Sequence, residues 1–282
     1  MVQLDLSNKI ILQIIGTDIE ISELDIDFEI ELTNEADPNS AQVTIWNLSE
    51  STRSEIIQNF TAVRILYEDF YTEGLINVYT GFKRSKVEQK SSKGGSSKTK
   101  RQVGLENVGS DVGTVLYLAE NLNNFSNSFF SKSYTTEVSS KTIISDVAKT
   151  MQAGTFYQAP VNHIVYKNGI SFHENSRTAL SRVCKTIDCN WSLTQSAVNI
   201  SPIKTKIQQS TFLFDGDTID SPKPLDNDEF SFETRFVPQL KPDMWVRVET
   251  RDYNGTYKIT KIKHSASNHG DKCVSEITLK EN

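Results

Sequence analysis

The sequence predicts a mainly β protein carrying a small α+β insert. One observation is the stretch "LDIDFEIEL", Leu24 to Leu32, in which apolar and acidic residues alternate without exception, the pattern of a strand with one buried face. A second is the recurrence, near both ends of the chain, of short runs rich in Val, Ile, Phe and Thr, bounded by Gly, Pro, Asn, Asp and Ser. A third is that extended helical spacing is concentrated in the middle.

Residues 1–112 are expected to form a first β unit. "NKIILQII" is its first strand, "SELDIDFEIELT" its second, and "NEADPNS" a turn-rich break before the strand "AQVTIWNL". Ser49 and Thr52 offer helix N-caps, with Glu55 three residues after Thr52 as in a capping box, so a short helix is expected over about residues 50–59. "AVRILYED" and "LINVYTGFKRSKVEQ" are further strands, and "RQVGLENVGSDV" returns to β after a Lys/Ser/Gly stretch that reads as a long hairpin tip.

Residues 113–205 change character. "GTVLYLAENLNN" and "SSKTIISDVAKTMQ" have helical spacing. In the second, Ile143, Ile144, Val147 and Met151 share a face and Ser139 or Ser140 is placed to cap it. A further helix, Arg177 to Lys185, puts Ala179, Leu180, Val183 and Cys184 on one side and leads into a hairpin. Residues 206–282 are β again, with strands in "STFLFDG", "EFSFETRFVP", "MWVRVETR", "GTYKITKIKHSAS" and "CVSEITLKE", and a tight turn at Asp252 to Gly255.

The 282 residues suffice for two domains, or for one domain with an insertion, and 37% hydrophobic content is enough to bury a core. The N-terminus lacks a basic region and cleavage site, and its apolar run Ile10 to Ile15 is too short to span a bilayer, so a soluble, non-secreted chain with no membrane partner is expected. Three cysteines, Cys184, Cys189 and Cys273, argue against a disulfide framework and give no zinc spacing. The net charge of −6 is uneven. Residues 83–101 hold Lys83, Arg84, Lys86, Lys90, Lys93, Lys98, Lys100 and Arg101 against Glu88 alone, a net of +7, which leaves −13 for the remainder.

Catalytic motifs are missing. The four histidines never fall in His-Glu-x-x-His spacing, and each is expected to be solvated or hydrogen-bonded. "KGGSSKTK" has Gly94, Gly95, Lys98 and Thr99 but no glycine directly before the lysine, so it fails as a phosphate loop. No Gly-x-Ser-x-Gly elbow occurs. "DGDTID" lacks a full calcium-loop pattern and reads as a polar turn. The row Asp25, Asp27, Glu29 and Glu31 repeats about every 7 Å along one strand face. Four equivalent acids give no split between a neutral and an ionised carboxyl, as a glycosidase pair needs. Two readings stay open: a solvated outer sheet face, or an acidic wall that repels nucleic acid inside a ring.

"FEIELTNEADPNSAQVTIWNLSESTR", an amphipathic strand, a Pro-Asn turn, a strand and Asn-Leu-Ser leading into a helix, resembles the N-terminal module of tailed-phage baseplate hub proteins. "INVYTGFKRSKVE", "YTTEVSSKTIISDVAKTM", "SFHENSRTALSRVCKTIDCNWSLTQSAVNISP" and "LKPDMWVRVETRDYNGTYKITKIKHSAS" with "EITLKE" resemble later parts of the same family in the same order. The resemblance implies two tail-tube-like β-barrel domains, 1–112 and 206–282, flanking the α+β insert 113–205. It implies a non-enzymatic homotrimer without cofactor or metal, whose pseudo-sixfold ring adapts a hexameric tail tube protein to a trimeric central spike protein. The tape-measure protein, other baseplate proteins of the wedge or sheath-initiating kind, and DNA that passes without specific binding are the implied contacts. The implied setting is the virion tail baseplate, assembled in the host cytoplasm. Asp25, Asp27, Glu29 and Glu31 are then lumen-lining candidates, and the basic residues of 83–101 partner-contact candidates. The chain departs from larger hubs in placing only about 15 residues, "DGDTIDSPKPLDNDE", where those insert a further domain. The competing expectations are a receptor- or glycan-binding β module using the basic loop, and a peptidoglycan hydrolase using acids such as Asp25, Asp27 or Glu174.

Overall fold

The computed structural model describes residues 9–34, 39–59, 62–67, 70–72, 75–84, 112–120, 127–194, 197–203, 212–226, 228–270 and 273–280, with 57–59, 70–71, 75–84 and 194 by backbone alone. The first unit runs β1 (Ile10–Ile15), β2 (Glu20–Ile21), β3 (Ile26–Thr33), β4 (Ser40–Trp46), α1 (Glu50–Asn59), β5 (Ala62–Tyr67), β6 (Phe70–Tyr71), β7 (Leu75–Arg84) and β8 (Val112–Glu120). Alternation sets the inward faces. Ile10, Leu12 and Ile14 of β1, Ile26, Phe28 and Ile30 of β3, and Val63, Ile65 and Tyr67 of β5 are all buried. Ser49 caps α1, its Oγ accepting from the Thr52 amide at 3.1 Å, so Thr52 lies inside the helix.

Residues 113–124 were expected as a helix, but Val112–Glu120 is strand β8, hydrogen-bonded between β4 and β7. The apolar run Val115, Leu116, Leu118, Ala119 fits a helical face and a buried strand equally well. Pairing on both sides decides it: Leu116 and Leu118 enter the core while Tyr117 between them points out. β8 thus joins the sheet of the first β unit, between β4 and β7.

The middle comprises β9 (Phe129–Tyr134), β10 (Val138–Ser139), α2 (Ser140–Thr150), β11 (Gly154–Tyr157), β12 (Val165–Tyr166), β13 (Ile170–Asn175), α3 (Ser176–Thr186), β14 (Cys189–Thr194) and β15 (Ala197–Pro202). Ser139 caps α2, accepting from the Thr142 amide, and Asn175 caps α3, accepting from Arg177. Ile143, Ile144, Val147 and Met151 meet Ala179, Leu180, Val183 and Cys184 in one core, with Trp191, Val198 and Ile200 of the β11–β15–β14 sheet beneath. Gly169 turns the chain between β12 and β13 at φ +71, and a Cβ there would lie 2.0 Å from the Tyr134 carbonyl oxygen.

The last unit holds β16 (Leu213–Asp215), β17 (Lys223–Pro224), β18 (Glu229–Arg235), β19 (Trp245–Glu249), β20 (Asn254–Ser267) and β21 (Cys273–Lys280). The β19–β20 turn is 250–253, closed by Thr250 N–H to the Tyr253 carbonyl at 2.9 Å, so Asn254 and Gly255 open the strand instead of forming the turn.

Among the described residues the two β units form one 14-stranded sheet, in the order β17-β18-β21-β20-β3-β4-β8-β7-β5-β1-β2, with β19 on β20, β16 on β19 and β6 on β5. β3 and β1, far apart in this order, supply one shared core with Ile56 of α1, so the first half curls over itself. No described ladder closes it into a ring. Among the described residues the ladders support a mainly β fold and do not by themselves establish two closed barrels. β20 unites the two units by pairing with β19 along its first half and β3 along its second, with β21 along its other edge. The joint forms because β20 and β3 each present an apolar inner row, Ile262 and Ala266 meeting Leu32 and Phe28 in register.

Candidate functional site: the seam between the two β units

The acids singled out in the sequence lie on this seam. Asp27, Glu29 and Glu31 occupy the outer face of β3, where the period of two puts them opposite Ile26, Phe28 and Ile30. Asp25 precedes the strand, and its carbonyl accepts from the Trp46 amide at 2.9 Å. None of the three strand acids stands as a bare charge. Glu31 pairs with Lys261 and Glu29 with Lys263, each at 2.8 Å, and Asp27 lies 3.1 Å from His269 Nε2. Trp46 Nε1 also donates to Asp27 at 2.8 Å. The pairs run diagonally, since Glu31 sits directly opposite Lys263 and Glu29 opposite Ser265. Glu29's hydrogen bond, with the fields of Glu29, Glu276 and Glu31, raises the Lys263 pKa. The row of like charges is thus one half of a mixed-charge lattice.

Its other half was legible. "TKIKHS" alternates Lys261 and Lys263 with Ile262 and His264, the basic counterpart of the acidic strand. Only the pairing of β20 with β3, residues some 230 positions apart, was hidden.

The inner face of the seam is aromatic. Phe236, just beyond β18, lies edge-on to Tyr67 (5.1 Å, 90°) and Phe28 (6.2 Å, 76°), and 5.0 Å from the His264 ring. His264 is wholly buried, with Nδ1 2.9 Å from Ser275 Oγ. Burial lowers its pKa to about 4, a hydrogen bond to the Leu240 backbone acting in the opposite sense. The Tyr67 hydroxyl and Cys273 Sγ meet at 3.0 Å.

At one end of the seam β20 carries a bulge between Ile259 and Lys261. Beside it lies a buried ion pair, Lys258 Nζ to Asp243 Oδ1 at 2.7 Å, their side chains 11% and 4% exposed. Asp243, at φ +69, also accepts from Asn34 Nδ2 at 3.1 Å, and Lys258 reaches the Pro202 carbonyl at 3.5 Å. One network so ties the β3–β4 loop, the loop before β19, β20 and the end of the insert.

Of the basic candidates, Lys83 and Arg84 end β7 and are described by backbone alone. Lys86, Lys90, Lys93, Lys98, Lys100 and Arg101 lie outside the described residues. Glu174 sits on β13 in the insert, 3.1 Å from Arg182, in a different sheet from Asp27. The 215–220 turn is built by Asp215 Oδ1 accepting from the Asp217 and Thr218 amides. Burial pushes the Cys184 thiol up to about 12 and raises Cys189, keeping both protonated. Among the described residues no cluster of three His, Cys, Asp or Glu is placed to hold a metal ion.

No family model matches the chain, and no curated protein matches it. Its fold matches solved structures end to end. The 43 kDa tail protein of prophage MuSo2 from Shewanella oneidensis superposes at TM-score 0.65 with 10% identity, over 96% of each chain. A tail protein from Neisseria meningitidis MC58 does so at 0.62 and 9%, over 97% of this chain and 96% of that one. The E. coli c3393 protein superposes at 0.56 and 10%, over 96% of this chain and 76% of that one. That protein is described as a component of the type VI secretion system with structural similarity to the T4 bacteriophage tail proteins gp27 and gp5. The fold is that of these tail proteins.

Proposed function

We propose that this chain is a structural baseplate hub protein of a phage tail or of a related injection machine. Three copies would form a pseudo-sixfold ring, each copy giving two tube-like β units, between a hexameric tail tube and a trimeric central spike. The observation that carries this reading is the fold likeness to tail proteins over 96% of both chains, which includes the insert and both β units. The seam adds physical sense. A ring that adapts one symmetry to another needs its two half-units held in fixed register, and β20 supplies that by running through both. Tube, spike and tape-measure proteins are the proposed contacts, with DNA passing unbound. The proposed role is non-enzymatic, in keeping with the acids: Asp27, Glu29 and Glu31 each already engage a cation or an indole rather than standing as a differentiated pair.

The test is assembly. Native mass spectrometry of the purified chain, alone and with its tube and spike proteins, should give a trimer or a complex holding three copies, and averaged images of the tail should show threefold density at the tube–spike junction. A chain that stays monomeric with both proteins present refutes the hub. For the channel wall, replacing Glu29 and Glu31 by lysine should leave the trimer folded and slow DNA release. Unchanged release places the lattice outside the bore.

A further inference from the structure

Asn-Gly occurs twice in the chain, at Asn168–Gly169 and Asn254–Gly255, and the fold treats the two dipeptides differently. Such a pair carries a reaction of its own. The glycine amide nitrogen, with no side chain beside it, can attack the asparagine side-chain carbonyl carbon and close a cyclic imide. Asn254 is held away from that path. It pairs with Glu249 of β19, and its Oδ1 accepts from Arg247 Nη2 at 3.0 Å. The Thr250 N–H to Tyr253 carbonyl bond sets the alternation of this ladder. Val248↔Gly255 is then its next hydrogen-bonded pair, which commits the Gly255 amide to the sheet. Asn168 instead sits exposed in the turn between β12 and β13. The Gly169 amide reaches the Tyr166 carbonyl at 3.3 Å, longer than the ordinary bond of about 2.9–3.0 Å. β12 is only two residues long, so little structure has to open before that nitrogen can turn.

We infer that Asn168 is a built-in ageing site: it converts spontaneously to aspartate and isoaspartate in the folded protein, whereas Asn254 is spared. The step balances with water alone. The Gly169 nitrogen bonds to Asn168 Cγ, the Cγ–Nδ2 bond breaks, and ammonia leaves with the nitrogen's proton. Water then opens the imide at either carbonyl, giving aspartate or a backbone rerouted through Cβ. The turn tolerates the two products unequally. Gly169 sits at φ +71, where even a Cβ has no room beside the Tyr134 carbonyl, so an extra backbone carbon displaces it. This turn holds the start of α2 in place. β12 pairs Tyr166 with Val138 and Val165 with the cap Ser139, and the Ile164 carbonyl accepts from the Ser140 amide at 2.8 Å. Isoaspartate therefore loosens that corner, while aspartate adds a charge and leaves the backbone as it was. This inference stands apart from the tail reading and holds or fails whatever the chain assembles with.

Peptide mapping by mass spectrometry reads the site directly. The full chain is held folded in mildly alkaline buffer at physiological temperature, and isoaspartate is scored with an isoaspartyl methyltransferase and labelled S-adenosylmethionine. In the folded protein Asn168 should convert about ten-fold faster than Asn254, the protection that one or two ladder hydrogen bonds give. In urea the two rates should converge, since both are then the same exposed dipeptide. Equal rates in the folded chain, or an Asn254 that converts first, overturn the inference. So does an Asn168 that survives in the folded chain and converts in urea. Hydrogen exchange on the isoaspartate-enriched fraction then reads the consequence. Amides of 138–142 and 164–166 should lose about ten-fold protection, while N168D, which brings the charge without the extra backbone carbon, should keep it. Equal loss in N168D and in the aged protein, or no loss in the aged protein, refutes the loosening of the α2 corner.

Discussion

Breaking the buried Lys258–Asp243 pair should be strongly destabilising. At 2.7 Å the gross attraction is about 6 kcal/mol at an effective dielectric of 20, and desolvating two ions costs several kcal/mol each. The pair as formed therefore contributes little net stability, yet removing one partner strands the other. K258M leaves the Asp243 carboxylate, 4% exposed, with Asn34 as its remaining polar partner here, and D243N leaves the Lys258 ammonium facing the Pro202 carbonyl at 3.5 Å. Asparagine is the right replacement because it tolerates the φ of +69 at this position. Each single change should cost about 3–5 kcal/mol. The double change K258M/D243N should cost about 2 kcal/mol or less, since no buried charge remains. Urea unfolding of the four proteins, with equal m-values as the check on two-state behaviour, gives the cycle. Single losses under about 1 kcal/mol, or a double loss equal to the sum of the singles, would refute the view that this pair is a buried, coupled unit.

Three further outcomes follow. Gly169→Ala should lower stability by about 3 kcal/mol or more, because a Cβ would meet the Tyr134 carbonyl in a positive-φ turn; thermal unfolding measures it. Leu180→Ala, at a fully buried site between α3 and its neighbours, should cost about 2–5 kcal/mol by the same assay. Lys261→Gln and Lys263→Gln should each cost under about 1 kcal/mol, as exposed diagonal pairs do, and unfolding in low and high salt should show that this small loss vanishes as salt rises.

The sequence disclosed what depends on local pattern and hid what depends on pairing. The inward row of β3, the Ser139 cap and the two helical faces of the insert were all readable, because each rests on spacing within a dozen residues. β8 was misread because Val115 to Ala119 satisfies two periodicities, and only its neighbours β4 and β7 choose between them. The acids of β3 were legible as a row but not as half of a lattice, since Lys261 and Lys263 reach them only through a long-range ladder. Asp243 and Lys258 carried no local signal at all: one sits in a loop, the other in a strand, and burial is what makes them a pair.

β20 has a mechanical consequence. A pull along this strand against β3 does not peel bonds apart one at a time. It loads the register from Lys261↔Thr33 to Ser267↔Asp27 in shear, all rungs sharing the force at once. A pull across the sheet would unzip the same rungs in sequence at far lower load. The joint is thus strong along the strands and weak across them.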